Sequence, residues 1–244
     1  MNRARSFGAI RLQRRGRIVN LTLDRPRVLN AYNTEMRDDV YAALGLVAAD
    51  QTVSVLVVRG AGRAFCAGGD LTEFGQAPSP VRAREVRQVR DVWRRWATLP
   101  CLSIAAVQGA AAGGGCEMAL LCDLVVCAND ACFGLPETSL GLIPGVGGTQ
   151  TLPRAIGQGR AASVLLAGEW LDARAAVASG LALAAVPRAR LDATVLALAR
   201  RVAALDPAVV RAVRACVARG LDLPLAAGLG LERRWARTLG RTDP

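Results

Sequence analysis

The sequence contains no histidine. That excludes Ser-His-Asp and Cys-His catalysis, histidine-ligated metal sites and imidazole proton shuttles. Acid–base chemistry falls to Asp, Glu, Cys or the two tyrosines, Tyr32 and Tyr41. A carboxylate doing that work near neutral pH needs a dry pocket or a charged neighbour. Lysine is missing too: all 31 basic residues are arginine. Against 20 acidic residues the formal net charge is +11, a balance that invites a polyanion. With so many Ala and Val alongside, the all-arginine bias reads first as GC-rich coding, and second as a surface attractive to coenzyme phosphates.

Cys-x-x-Cys pairs are also absent. Cys66, Cys101, Cys116, Cys122, Cys127, Cys132 and Cys216 lie mostly in apolar runs, so reduced, structural thiols in a cytoplasmic protein are expected and a four-cysteine zinc site is not. Aromatics make up only 4% of residues, leaving a core of Ala, Val and Leu. No membrane span is expected, because the longest apolar stretch, residues 110–128, is interrupted by Glu117 and Asp123. The start, MNRARS, is too short for a transit peptide before strand-like alternation begins near Ala9.

What is present alternates strand and helix signals. Residues 17–23 alternate apolar and polar side chains as a half-buried strand does, and Asp24-Arg-Pro26 turns the chain. Thr34 is a candidate cap for a helix bearing Met36, Val40, Leu44 and Val47 on one face. Residues 54–58 form a buried-strand run, followed by a glycine-rich loop over residues 60–70. A helix is expected over about residues 81–98, with Val86, Val89, Trp93 and Trp96 as its packed stripe. A strand at residues 103–107, a second glycine loop with its helix, and a strand at residues 124–127 complete an α/β pattern. Beyond it, Leu191, Val195, Leu198, Val202 and Leu205 make a helical stripe, and Asp206-Pro207 opens another helix.

Three segments carry candidate chemistry: Ala64-Phe-Cys-Ala-Gly-Gly-Asp-Leu71, Gly109-Ala-Ala-Ala-Gly-Gly-Gly-Cys-Glu117 and Phe133-Gly-Leu-Pro-Glu-Thr-Ser-Leu-Gly-Leu-Ile-Pro-Gly145. Gly113-Gly114-Gly115 follows a strand and opens a helix, so its amides face outward at the positive end of a dipole. Such amides can hold a developing oxyanion, each contributing roughly 3–4 kcal/mol to a transition state. The spacing is neither that of a dinucleotide fingerprint nor of a P-loop, and Glu117 would repel a pyrophosphate. Taken singly, Glu117 could merely complement the helix dipole, and Glu137 could merely pair with an arginine.

Together with Leu23-Asp-Arg-Pro-Arg-Val-Leu-Asn30 and Pro153-Arg-Ala-Ile-Gly157, these segments closely resemble the crotonase (enoyl-CoA hydratase/isomerase) superfamily, nearest to its hydratases. The resemblance implies an α/β, ClpP-like fold: a repeated β-β-α spiral core over residues 1–190, then an oligomerisation region of helices over residues 191–244, in a homotrimer or hexamer. It places an oxyanion hole on the N–H groups of Gly69 and Gly114, and catalytic carboxylates on Glu117, the base, and Glu137, the Cα proton donor. Coenzyme A would run past Arg27, Val28, Ala67, Gly69, Asp70, Leu71 and Thr72, with Gly114 and Pro136 beside the thioester and Gly145 helping to hold water. The reaction implied is reversible syn addition of water to a 2-trans-enoyl-CoA, giving a 3-hydroxyacyl-CoA. The thioester is the substrate, and no other cofactor or metal is called for.

Other readings stay open at this stage. The chain could be an enoyl-CoA isomerase, or a dehydratase of a 3-hydroxyacyl thioester held by CoA or a carrier protein. Some crotonase-like proteins bind RNA, and Arg82, Arg84, Arg87, Arg90, Arg94 and Arg95 would be the surface for it. Those arginines surround their expected helix and stacking aromatics are scarce, so nucleic acid is not the expected partner. Relatives usually continue past the motif matching Thr242-Asp243 into a last helical segment. With the chain stopping at Pro244, the resemblance implies weaker closure of the CoA site, or partial replacement by Arg233, Arg234 and Trp235.

Overall fold

The computed structural model describes residues 3–74 and 90–240. Strands Arg3–Ser6 (β1), Ile10–Arg15 (β2) and Ile18–Leu23 (β3) form an antiparallel meander. Helix α1 (Thr34–Ala49) then returns the chain to Val55–Gly60 (β4), which pairs parallel to β3. Short helices follow at Leu71–Phe74 (α2) and Val92–Ala97 (α3). Next come Leu102–Val107 (β5), Ala110–Ala112 (β6), helix α4 (Gly114–Leu121), Leu124–Ala128 (β7) and Cys132–Gly134 (β8). After helices α5 (Gly148–Ile156) and α6 (Gln158–Leu166), Leu171–Asp172 (β9), helix α7 (Ala173–Ala178) and Ala184–Val186 (β10) complete the sheets. Helices α8 (Arg188–Ala203), α9 (Pro207–Gly220) and α10 (Leu225–Leu239) follow.

The larger sheet has the order β1-β2-β3-β4-β5-β7-β10 and the smaller one β6-β8-β9. Two successive turns of the chain each lay one strand on the large sheet, one on the small sheet, and then a helix: β5-β6-α4, then β7-β8 and the helices after it. This is the β-β-α spiral that the resemblance implies. Side chains alternate across the large sheet. Leu56, Val58, Ala105, Val107, Val125 and Cys127 point into the spiral, whereas Val55, Val57, Ile104, Ala106, Val126 and Ala128 are covered by Leu191, Val195 and Ala199 of α8. Both faces of β4 are therefore buried, which is why its sequence is a continuous apolar run. Helix α8 runs unbroken across the 190/191 boundary expected between core and helical region.

Several local expectations shift. Asn33, not Thr34, caps α1, accepting the Met36 N–H on its side chain, because Thr34 already has the first helical position. The helix expected over residues 81–98 begins, within the described residues, only at Val92. Asp91 caps it by accepting the Arg94 N–H, so the helix does not run continuously through residues 90–91. Arg82, Arg84, Arg87, Val86 and Val89 lie outside the described residues, as do Thr242 and Asp243. Arg95 folds back over the Tyr41 ring at 3.5 Å and donates to the Tyr41 carbonyl, which takes it out of any basic stripe. Leu205 lies past the end of α8 and is half exposed, so the stripe ends at Val202. No helix among the described residues is long and apolar enough to cross a membrane.

Helix α9 is tied to the core by a largely buried ion pair. The Arg214 guanidinium donates to the Asp123 carboxylate at 2.8 Å and to the Leu99 carbonyl, while Asp123 also accepts the Ser103 N–H and hydroxyl. Both side chains are under one-fifth exposed. Removing one partner of such a pair strands the other charge.

Arg214→Ala should therefore cost about 3 kcal/mol, lowering Tm by roughly 6–12 °C for a chain of this length; calorimetry finding an unchanged Tm would contradict this tie. The thiols give a second test. Burial pushes Cys66 and Cys101 up to about 12 and Cys127 to about 11, and Cys116 and Cys122 higher still. Alkylation of native protein at pH 8 should thus modify Cys216 first and leave those five intact until the protein is denatured.

Candidate active site

The two glycine loops meet at the spiral's edge. The chain around Cys66 zips onto β6: Phe65 and Cys66 N–H donate to the Ala110 carbonyl, and Ala112 N–H donates to the Cys66 carbonyl. This drives Gly68 against Gly113, so closely that a Cβ on Gly68 would sit 2.9 Å from the Ala112 carbonyl oxygen and 3.7 Å from the Gly113 Cα. Both glycines have positive φ, +95° at Gly68 and +50° at Gly113, a region that L side chains avoid. Gly68 and Gly113 are buried, while the next residue in each loop, Gly69 or Gly114, is partly exposed. Among the described residues, neither the Gly69 nor the Gly114 N–H donates to a backbone carbonyl. The structure thus brings together the two glycine loops that carry the amides singled out by the sequence.

Glu117 and Glu137 both lie near the first turn of α4. Glu117 lies one turn into α4, its N–H donating to the Gly113 carbonyl, and is 2% exposed. A helix this apolar is buried on all sides, so its one carboxylate needs partners. It finds them at the start of α5: the Val146 and Gly148 N–H groups donate to Glu117 Oε1 at 3.0 and 2.8 Å. Those donors and the positive end of the α5 dipole favour the ionised carboxylate. Glu137 comes from a 3-10 turn, Pro136–Leu140, whose end is closed by Gly141 and Leu142 N–H groups donating to the Glu137 carbonyl. Its Oε1 lies 2.8 Å from where a Cβ on Gly113 would stand. The Cys116 thiol, buried beside Glu117 in α4, is pushed up first by burial and then by the neighbouring Glu117 and Glu137 carboxyl groups.

The remaining expected contacts fall on adjacent segments. Ala67 N–H donates to the Leu29 carbonyl, laying the Pro26–Val28 turn beside the first glycine loop. Arg27 and Thr72 are exposed, Val28 is 46% exposed and Leu71 66%, leaving two apolar side chains on this rim. Gly145 is exposed on the loop that grips Glu117, and Pro136 is partly buried beside Glu137. Asp70 departs from the expected pattern. Its carboxylate turns into the fold, accepting from Arg25 at 2.9 Å and from the Thr72 hydroxyl at 2.7 Å. Burial alone would raise its pKa, but the Thr72 and Arg25 hydrogen bonds outweigh it and hold Asp70 below the ordinary Asp value.

Two residues at this site carried no role in the sequence reading. Asn30, fully buried at φ +57°, accepts the Arg25 N–H and donates its amide to the carbonyls of Ala61, Ala64 and Phe65. Arg25 links its own turn to Asp70. The only signal was their place in the Asp-Arg-Pro…Asn motif, where Asn is among the residues that tolerate a left-handed backbone.

Comparison with known proteins agrees with this geometry. Residues 13–243 match the family model described as enoyl-CoA hydratase/isomerase. A probable enoyl-CoA hydratase of Rhizobium meliloti is 37% identical over 98% of this chain and 92% of its own length. The 2,3-dehydroadipyl-CoA hydratase of Escherichia coli is 36% identical over 95% of this chain and 90% of its own. Among solved structures, an enoyl-CoA hydratase from Bacillus anthracis superposes with a TM-score of 0.93 at 32% identity, covering 96% of this chain and 92% of that one. An enoyl-CoA hydratase subunit from Geobacillus kaustophilus gives 0.91 at 35% identity, covering 98% and 92%. By fold, by glycine-loop architecture and by likeness along almost its whole length, this chain belongs to the enoyl-CoA hydratase/isomerase family of the crotonase superfamily, and is an enzyme of the hydro-lyase kind.

Proposed function

We propose that this enzyme reversibly adds water across the C2–C3 double bond of a 2-trans-enoyl-CoA. The observation that carries this reading is the placement of Glu117 in the first turn of α4 and of the Glu137 carboxylate against Gly113, next to the partly exposed Gly69 and Gly114. The thioester carbonyl accepts from both amides. Water, held between the two carboxylates, attacks C3 while Glu117 takes its proton. The π electron pair moves toward C1, placing negative charge on the carbonyl oxygen where the amides stabilise it. Glu137, which enters the cycle protonated, delivers its proton to C2, the charge collapses back and a 3-hydroxyacyl-CoA remains; the proton taken up by Glu117 then returns to Glu137 through the next water, which resets the pair. Both carboxylates act from one side of the acyl chain, so water adds syn. This polar addition needs no redox step and no cofactor beyond the CoA thioester itself.

The division of labour follows from the surroundings of each glutamate. Glu117, gripped on Oε1 by two N–H donors at the start of α5, is held in the fixed orientation that a base for the attacking water needs. The exposed apolar rim of Val28 and Leu71 suits a pantetheine arm, with the Arg27 guanidinium beside it for the nucleotide phosphates. Exposed Val213, Val217, Leu221 and Leu225 on α9, α10 and the turn between them support assembly into a homotrimer or hexamer. The free cysteines fit a reducing compartment, and we place the enzyme in the cytoplasm.

Crotonyl-CoA should be consumed with loss of its conjugated enoyl absorbance. Glu117→Gln and Glu137→Gln should each lower kcat about 10²–10⁴-fold while CoA affinity stays nearly constant. Wild-type turnover of a 3-enoyl but not a 2-enoyl thioester would move the assignment to isomerisation, and full activity in both variants would sink the carboxylate mechanism.

A further inference from the structure

The peptides on both sides of Gly69 are held by a backbone bridge. Tyr32 and Gly69 face each other in a two-bond parallel bridge: Tyr32 N–H donates to the Gly68 carbonyl at 2.7 Å, and Asp70 N–H donates to the Tyr32 carbonyl at 2.9 Å. The bridge fixes both peptides flanking Gly69, and so fixes where the Gly69 N–H points. Its Tyr32 side is an unusual piece of backbone, since Leu29 and Asn30 both have positive φ. Two consecutive non-glycine residues in that region are strained and persist only where their surroundings hold them.

One guanidinium touches both sides of this bridge. Arg25 Nη1 donates to the Ala31 carbonyl, next to Tyr32, and to Asp70 Oδ2 at 2.9 Å, next to Gly69. The Arg25 side chain is 22% exposed and that of Asp70 11%, so the pair works at reduced dielectric. Asp70 is anchored in turn by the Thr72 hydroxyl and N–H on its other oxygen.

We infer that Arg25 is a positioning residue for the oxyanion hole, acting through the Ala31 carbonyl and the Asp70 carboxylate to aim the Gly69 N–H at the thioester oxygen. Asp70 thereby belongs to the frame of the hole and not to the CoA contact surface. The inference rests on the reading of Gly69 as an oxyanion donor, and extends it to a residue 44 positions away in the sequence. A misplacement of about 1 Å at such a donor costs on the order of 100-fold in rate, without much effect on ground-state binding.

The test is the absorbance of bound cinnamoyl-CoA, whose conjugated band moves to longer wavelength as its carbonyl is polarised, read beside kcat and KM on crotonyl-CoA. Wild type should shift the band. Arg25→Ala should lose most of the shift and about 100-fold in kcat with KM little changed, and added guanidinium should restore part of both. Asp70→Asn, which keeps the shape but removes the charge, should lose part of the shift and covers the case in which Arg25→Ala fails to fold. Equal shifts in wild type and both variants, or no shift in wild type, would overturn the inference. The band shift does not depend on turnover. A wild-type protein that shifts the probe yet leaves crotonyl-CoA unhydrated therefore loses the reaction assignment while the role of Arg25 stands or falls on its own variants.

Discussion

Two loops from different turns of the spiral touch at Gly68 and Gly113, and everything proposed for this site depends on that contact. A side chain on Gly68 would strike the Ala112 carbonyl and push the loops apart, and one on Gly113 would strike the Glu137 carboxylate. The contact is itself a product of the fold. Zipping of residues 65–66 onto β6 sets the height of the first loop, and the β6-α4 connection sets the second. A paired amide site built this way consists of backbone alone and reorganises little as charge develops, which is where such sites draw most of their effect.

Around that contact the sequence places its charges sparingly. Glu117 is the single acidic residue of a helix otherwise buried on apolar neighbours, and it is tolerated because the start of α5 supplies two donors to one of its oxygens. Glu137 arrives on a short 3-10 turn later in the chain and reaches Gly113, the residue that opens the helix carrying Glu117. Without histidine, this arrangement of two carboxylates in different surroundings is how the chain can supply a base and an acid together. Arginines, numerous as they are, serve largely as structural clamps at the places described: Arg25 on Asp70, Arg95 on Tyr41, Arg214 on Asp123.

Much of this was legible in the sequence because it is written in short-range patterns. The alternation of residues 17–23, the continuous run of β4, the glycine-opened helix with Glu117 in its first turn, and the Asp206-Pro207 start of α9 each depend only on neighbours a few positions apart. What escaped depends on contacts distant along the chain. Asn30 gives no local sign that its amide will bind carbonyls more than thirty residues away, and Asp70 looks like a surface residue until Arg25 is seen beside it. The cap of α1 passed from Thr34 to Asn33 because both are capping residue types and only geometry separates them. The break at Asp91 was hidden by an arginine-rich stretch whose apolar spacing alone suggested one longer helix.

The claim on which the rest turns is that two carboxylates on one face add water to an enoyl thioester polarised by two amides. Crotonyl-CoA converted in deuterated water, with the product examined by NMR, addresses it in one measurement. One deuteron should be fixed at C2 on the same face as the new hydroxyl at C3. Deuterium scrambled over both faces of C2, delivered anti to the hydroxyl, or incorporated with no hydroxyl gained at C3 would contradict it.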